Sequence, residues 1–294
     1  MRSLPQLSIQ QLCYLVAVSD QPTWAAAAAD LHVTPSALSQ GVAELERRLG
    51  IELFVRDGRR RLPRPEASPV FDYARSVVVQ TEDLVNWTRT RLAGRSGRLR
   101  VGMIDVAAIH HFPDQLRRFT SERVDLSLEL SVAPSSDLVR RVTDGDLDIA
   151  IVVATPTPLP GLDAVPLISE PLAIYRPPGP KPPGGPAAWG PWIAFPPESH
   201  SRSLIASSLA DLGSNYVVIA ESHQPEVMLQ MVRLGMGWTV LPVSQAERGP
   251  EPLTRARKRP LLERQLIAVQ RTDRLDHPAA DALRDMLSLV STPH

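Results

Sequence analysis

Residues 23–64 read TWAAAAADLHVTPSALSQGVAELERRLGIELFVRDGRRRLPR, and this stretch decides how the front of the chain folds. Thr23 fits an N-cap, and Ala27, Ala28 and Leu31 share one side of a helix predicted over 25–31. His32-Val33 makes the turn, histidine being among the residues that tolerate a positive φ. Thr34-Pro35 opens a second helix, where Thr caps and Pro loses nothing because the first helical N–H has no intrahelical partner. Leu38, Val42, Leu45 and Leu49 recur at spacings of four, three and four and form one buried stripe, and Gly50 stands where a helix-ending glycine belongs. Ser36, Ser39, Gln40, Ala43 and Arg47 lie off that stripe. Short polar side chains at a helix start, free of bulky charge, suit insertion into the major groove of DNA.

A hairpin follows, Leu53–Arg56 and Arg59–Leu62 around Asp57-Gly58, a strong two-residue turn signal. Arg56, Arg59, Arg60, Arg61 and Arg64 gather there with Asp57 alone opposing them, the composition of a phosphate clamp or of an arginine set in a minor groove. Two helices, a turn and a hairpin make a winged helix-turn-helix; its competing use is contact with other proteins.

The residues Trp24, Ala27-Ala28, Leu31, Thr34-Pro35-Ser36-Ala37-Leu38-Ser39, Leu45-Glu46, Leu49-Gly50 and Leu53-Phe54-Val55-Arg56, in that order, resemble the LysR-type transcriptional regulators. The resemblance implies a sequence-specific DNA-binding regulator of transcription whose action is modulated by a small molecule. Ser36, Ser39 and Gln40 would read bases, and Pro35 and Ala37 would make apolar contacts. Arg56, Arg59, Arg60 and Arg61 would hold phosphates, with Thr23 and Thr34 at the two helix starts completing the DNA-facing set. After Leu62 the chain departs from the family pattern: Pro63 stands for a threonine and Glu66 for a glycine, so no hydroxyl–phosphate contact is carried onto Pro63.

Composition bounds the rest. The 294 residues allow two or three domains, and 43% apolar with 22% charged residues is ordinary for a packed soluble chain. Lysine plus arginine and aspartate plus glutamate are both 32, so global charge does not point to nucleic acid. Residues 1–65 hold eight arginines against six carboxylates, so the clustering carries the signal, not the sum. Cys13 is the single cysteine, which excludes an intrachain disulfide and reads as a structural thiol. No apolar run reaches transmembrane length and no leader is evident, so a cytoplasmic protein without membrane contact is expected.

Ser8 caps a first helix of about 9–19. From 69 to 92, Phe71, Ala74, Val78, Thr81, Val85, Thr88 and Leu92 alternate spacings of three and four, a heptad seam; an amphipathic helix packed on its own domain shows the same period. The resemblance favours a dimerising linker helix, with Phe71, Val78, Val85 and Leu92 in the seam. The domains expected are therefore a winged helix-turn-helix over 1–66, all-α apart from its hairpin, a linker helix and hinge over 67–96, and an α/β effector domain over 97–294.

Beyond the hinge, strand and helix patterns alternate, which argues for parallel α/β layers. Strands are predicted at 99–104, 126–132, 148–153, 171–176, 216–220, 238–241 and 265–270, and helices at 107–119, 135–143, 201–212, 224–235 and 277–290. Lobe I takes about 98–166 and 267–294, lobe II about 167–266. The resemblance implies the two-lobed architecture of type 2 periplasmic binding proteins. Residues 177–191, PPGPKPPGGPAAWGP, read as a solvated surface connector.

In such sheets a ligand binds beyond the carboxyl ends of strands, near helix N-termini. The segments expected there carry Asp105, Val106, Ala107, Pro134 and Ser135 from lobe I, and His200, Ser201, Arg202, Ser222 and His223 from lobe II. Plain N-capping competes as the reading of Ser135, Ser201 and Asp105. Arg202 is the candidate for a bidentate pair with a carboxylate-bearing effector. Gly235 and Gly237 fit either close approach to a ligand or tight packing.

The seven histidines show no metal-ligand spacing with acids or thiols, and neither a phosphate loop nor a nucleophile elbow occurs. No metal or cofactor is expected. An enzyme acting on a small molecule in the cleft is the second reading and a solute-binding protein the third. Expected partners are double-stranded DNA, a small-molecule effector, RNA polymerase and further copies of the chain, as homodimer or homotetramer.

Overall fold

The computed structural model describes residues 6–57, 60–92, 97–180, 183–248 and 251–289. It divides into two compact units, Met1–Arg89 and Thr90–His294.

The first unit holds helices α1 (Ile9–Asp20), α2 (Trp24–Asp30), α3 (Pro35–Leu49), the strands β1 (Phe54–Asp57) and β2 (Arg60–Pro63), and most of α4 (Ser68–Leu92). Its caps follow the sequence. Ser8 and Gln11 form a capping box on α1, Thr23 and Thr34 each accept a backbone N–H at 3.1 Å, and α3 ends on Gly50 at φ 71°. His32 takes φ 54° in the turn. In the hairpin Asp57 pairs with Arg60, so Asp57 belongs to β1 and not to the turn, while Gly58 lies outside the described residues. The core gathers Leu12, Leu15, Ala27, Ala28, Leu38, Val42 and Leu45 with Phe54 and Phe71.

Gly41 sits inside α3, where glycine costs about 1 kcal/mol against alanine. The reason is Tyr14 of α1, whose ring would lie 2.4 Å from an added Cβ. Gly41→Ala is therefore expected to destabilise the domain by about 1–3 kcal/mol through overpacking. Urea titration reads this; a gain in stability would show that α1 and α3 can part at no cost.

Phe71 is 5% exposed and Ala74 fully buried, and both belong to the core of their own unit. Phe71 is thereby withdrawn from the expected seam, because its ring is spent edge-on against Phe54 at 5.5 Å. Val78 packs partly on the same core, while Leu84, Val85 and Trp87 further along α4 are exposed. The side chain of Leu92 lies outside the described residues.

The second unit is an α/β structure on one nine-stranded sheet. The strands are β3 (Gly97–Met103), β4 (Leu126–Val132), β5 (Ile149–Val153), β6 (Leu162–Arg176), β7 (Trp192–Ala194), β8 (Val218–Glu221), β9 (Trp238–Pro242), β10 (Thr254–Arg255) and β11 (Leu262–Arg271). Their order is β4-β3-β5-β11-β6-β9-β7-β8, with β10 beside β6. β3 runs parallel to β4 and β5, and β7 parallel to β8 and β9, while β6 and β11 are antiparallel to each other and to their neighbours. The helices are α5 (Pro113–Glu122), α6 (Ser135–Thr143), α7 (His200–Asp211), α8 (Pro225–Arg233), α9 (Val243–Ala246) and α10 (Pro278–Ser288).

Two hydrophobic cores divide this unit. One contains Leu99, Val101, Ile149–Val153, Ile168, Leu266, Val269 and Leu283; the other contains Leu172, Ile174, Trp192, Leu229, Trp238 and Leu241. β6 and β11 pass from one core to the other, so the lobes are joined by two strands hydrogen-bonded along their length.

Three local expectations change. The helix predicted over 107–119 is broken: a π-helical turn at Ala107–His111 precedes α5, because Pro113 lacks an N–H and disfavours helical backbone at Phe112. β6 begins nine residues before Pro171, and Pro166 is tolerated in it opposite the register shift at Leu266/Ile267. The Pro/Gly-rich connector is anchored, not merely solvated, since Trp189 is 6% exposed and stacks on Trp238 with centroids 5.3 Å apart.

Candidate nucleic-acid interface and interlobe site

In the first unit the cap at Thr34 turns the start of α3 outward. Thr34, Pro35, Ser36, Ala37 and Gln40 are exposed and Ser39 half-buried, while Leu38 and Val42 face the core. Thr23, at the start of α2, is exposed as well. The hairpin is fastened to α3 by Glu46, whose Oε1 accepts the Leu53 N–H at 2.8 Å. Cations nearby are unequal. Arg64 is held by Glu52 at 2.5 Å and Glu66 at 3.2 Å, and Arg47 and Arg48 by Glu44. Arg61 lies instead over the Trp24 ring, 4.7 Å from its centroid. Arg59 and the side chains of Arg56 and Arg60 lie outside the described residues.

In the second unit, polar groups of both lobes meet where β6 and β11 cross between the cores. Glu170 and Arg264 are direct cross-strand partners, 1% and 6% exposed. Arg264 donates through Nε at 2.7 Å and Nη2 at 2.6 Å to Glu170 Oε2, and through Nη1 at 2.7 Å to Ser201 Oγ. Glu170 Oε1 faces His111 Nε2 at 2.6 Å and accepts the Ser244 hydroxyl at 3.1 Å. Burial pushes the Glu170 carboxyl up, but the Arg264 guanidinium and His111 outweigh it and bring it down to about 2.

Further bridges surround this pair. His200 Nδ1 donates to the Val153 carbonyl at 3.1 Å, joining α7 of lobe II to β5 of lobe I. Ser135 Oγ accepts the Val153 N–H at 3.1 Å. Gln245 Nε2 donates to Asp105 Oδ2 at 3.1 Å, and burial pushes the Asp105 carboxyl up, against hydrogen bonds from Val106 and Gln245.

The comparisons with known proteins bear on both places. Residues 9–67 match the family of bacterial regulatory helix-turn-helix proteins of the lysR type, and residues 92–290 match the LysR substrate binding domain. The chain belongs to the LysR family of transcriptional regulators. It is a DNA-binding regulator of transcription with an α/β effector-binding domain. The uncharacterized regulator YfeR of Shigella flexneri is 28% identical over 299 residues, covering 95% of this chain and 93% of that protein. IlvY of Escherichia coli K12 is 29% identical over 238 residues, covering 76% of this chain and 77% of IlvY. Among solved structures, ArgP from Mycobacterium tuberculosis matches at TM-score 0.66 and 19% identity, covering 97% of this chain and 99% of that one. CbnR complexed with its target DNA matches at TM-score 0.62 and 18% identity, covering 96% and 99%.

Within this LysR-family chain, the effector residues read from sequence separate. Asp105 and His200 make the interlobe bonds above, Ser201 holds Arg264 at the strand crossing, Ser135 holds Val153 within lobe I, and Val106 and Ala107 are buried beside Asp105 in the lobe I core. Ser135 and Ser201 do not cap: Pro134 and Ser199 occupy the cap positions, and both hydroxyls accept hydrogen bonds from elsewhere. Arg202 is the correction. It is committed to the Phe195 carbonyl, to Glu221 at 3.1 Å and to the Tyr216 ring, all of lobe II, so its guanidinium is already neutralised. Ser222 accepts the Gln224 N–H at 3.0 Å, and His223 pairs with Glu198 at 3.1 Å. Gly235 takes φ 81° after α8, and a Cβ on Gly237 would lie 2.6 Å from the Pro191 carbonyl oxygen, so turn and packing account for both.

Glu170, Arg264, His111, Ser244 and Gln245 were not singled out from sequence as site residues. The signal for two of them is alternation: Ile168, Glu170, Leu172 and Ile174, and Leu262, Arg264, Leu266 and Ala268, each place one charge on an otherwise apolar phase of a strand. Among the described residues there is no group of three or more His, Cys, Asp or Glu able to hold a metal, and no helix long and apolar enough to cross a membrane.

Proposed function

We propose that this LysR-family regulator binds operator DNA through the exposed start of α3 and the hairpin, as a homodimer or homotetramer, and that a small polar effector between the lobes sets its response. The DNA reading is carried by one observation: Pro35, Ser36, Ala37 and Gln40 are exposed together, with Ser39 half-buried among them, on a helix whose Leu38, Val42 and Leu45 are fully buried. Ser36, Ser39 and Gln40 read base edges, and Arg61 with Arg56, Arg59 and Arg60 holds phosphates. Exposed Leu84, Val85 and Trp87 on α4 support self-association through that helix.

A ligand changes DNA binding only by favouring one arrangement of the protein over another. The bonds from His200 to Val153 and from Gln245 to Asp105 hold the lobes in one arrangement, and an effector that displaced them would favour another. The experiment is a screen of metabolites for raised melting temperature of the full chain, followed by operator gel shifts with each hit. The active compound is expected to alter operator affinity of the wild type and of Arg202→Ala alike, since Arg202 already has its anion. A response lost only in Arg202→Ala would return the effector carboxylate to that residue.

A further inference from the structure

Trp24 opens α2 with its indole N–H buried and without a hydrogen-bond partner among the described residues. A buried unpaired donor is unfavourable, and phenylalanine would fill the same apolar place without one. What indole adds is the strongest aromatic face for a cation. The Arg61 guanidinium lies over that face, and Arg61 makes no ion pair among the described residues. Beneath, Phe54 of β1 meets Trp24 edge-on at 5.2 Å, and Phe71 of α4 meets Phe54 at 5.5 Å. The contrast is Arg64, held by two carboxylates that cancel its charge. A ring fixes a guanidinium in place and leaves its full charge and its N–H edge for an anion.

We propose that Trp24 is a positioning residue: it holds Arg61 charged and oriented at the hairpin as a phosphate contact, and Phe54 and Phe71 seat that contact on α4. This rests on the reading of Arg61 as a phosphate contact. The test measures operator affinity against salt concentration for the full chain. Arg61→Ala is expected to lower the slope of log affinity on log salt by about 0.9, the loss of one phosphate neutralised. Trp24→Phe is expected to be at least as stable to urea as the wild type, yet to bind operator about three- to tenfold more weakly. In the Arg61→Ala background, Trp24→Phe is expected to change nothing further. Arg61→Lys, which keeps the charge but not the planar stack, is expected to match Trp24→Phe. Wild-type behaviour of Arg61→Ala would remove the phosphate reading itself. A weakened Arg61→Ala beside wild-type Trp24→Phe or wild-type Arg61→Lys would overturn the positioning role alone, as would a Trp24→Phe loss that persists without Arg61.

Discussion

Glu170→Ala is expected to destabilise the effector domain by about 3–5 kcal/mol, because it leaves Arg264 buried without its counter-charge. The loss comes from charge and not from lost volume, since two buried charges at the boundary between the cores depend on each other. The pH dependence follows with a definite sign. The folded carboxyl titrates at about 2, below its unfolded range, so its contribution is full above about pH 4.5 and is lost as pH falls toward 2. A shift of that size is worth roughly 3 kcal/mol for a group this buried. Wild-type stability should therefore fall steeply in that window, and Glu170→Ala should show a flatter profile there. Chemical denaturation at several pH values measures both, and parallel profiles would mean that the pair is not formed.

Ala37→Glu is expected to separate folding from DNA binding. Ala37 is the third residue of α3, its N–H donates to Thr34 Oγ1, and its side chain is exposed. A glutamate there completes a capping box and favours the helix dipole, so stability should hold or rise by about 0.5 kcal/mol. The same carboxylate would meet phosphates and base edges, a like-charge clash of several kcal/mol. Operator binding should drop at least about a hundredfold, which corresponds to about 3 kcal/mol. Thermal melts and gel shifts on one preparation decide it; retained binding would place α3 away from the duplex.

The first unit was legible because its signals are local. Thr23, Thr34, Pro35 and Gly50 mark helix ends by their own chemistry, and Leu38, Val42 and Leu45 show one face. Asp57 reads as a turn residue because Asp-Gly is a good turn pair in isolation, whereas the register from Phe54↔Pro63 to Asp57↔Arg60 puts it in the strand. Pro113 and Pro166 show the limit in the second unit: one broke a helix that apolar spacing favoured, the other hid a strand that a register shift accommodates. Arg202 looked like a ligand-binding cation because it follows a predicted helix start. Only tertiary structure shows Glu221 beside it and brings Glu170 and Arg264, 94 residues apart, into one ion pair.

The central claim is that α3 reads sequence through its exposed start while arginines supply uniform attraction. The most direct measurement selects bound sequences from a randomised DNA library with the wild type and with Gln40→Ala. The wild type is expected to enrich a discrete site, and Gln40→Ala to relax preference at one base pair per half-site, by about 1–3 kcal/mol, with the other positions unchanged. Equal binding of all sequences by the wild type, or a uniform loss across all positions in Gln40→Ala, would contradict it.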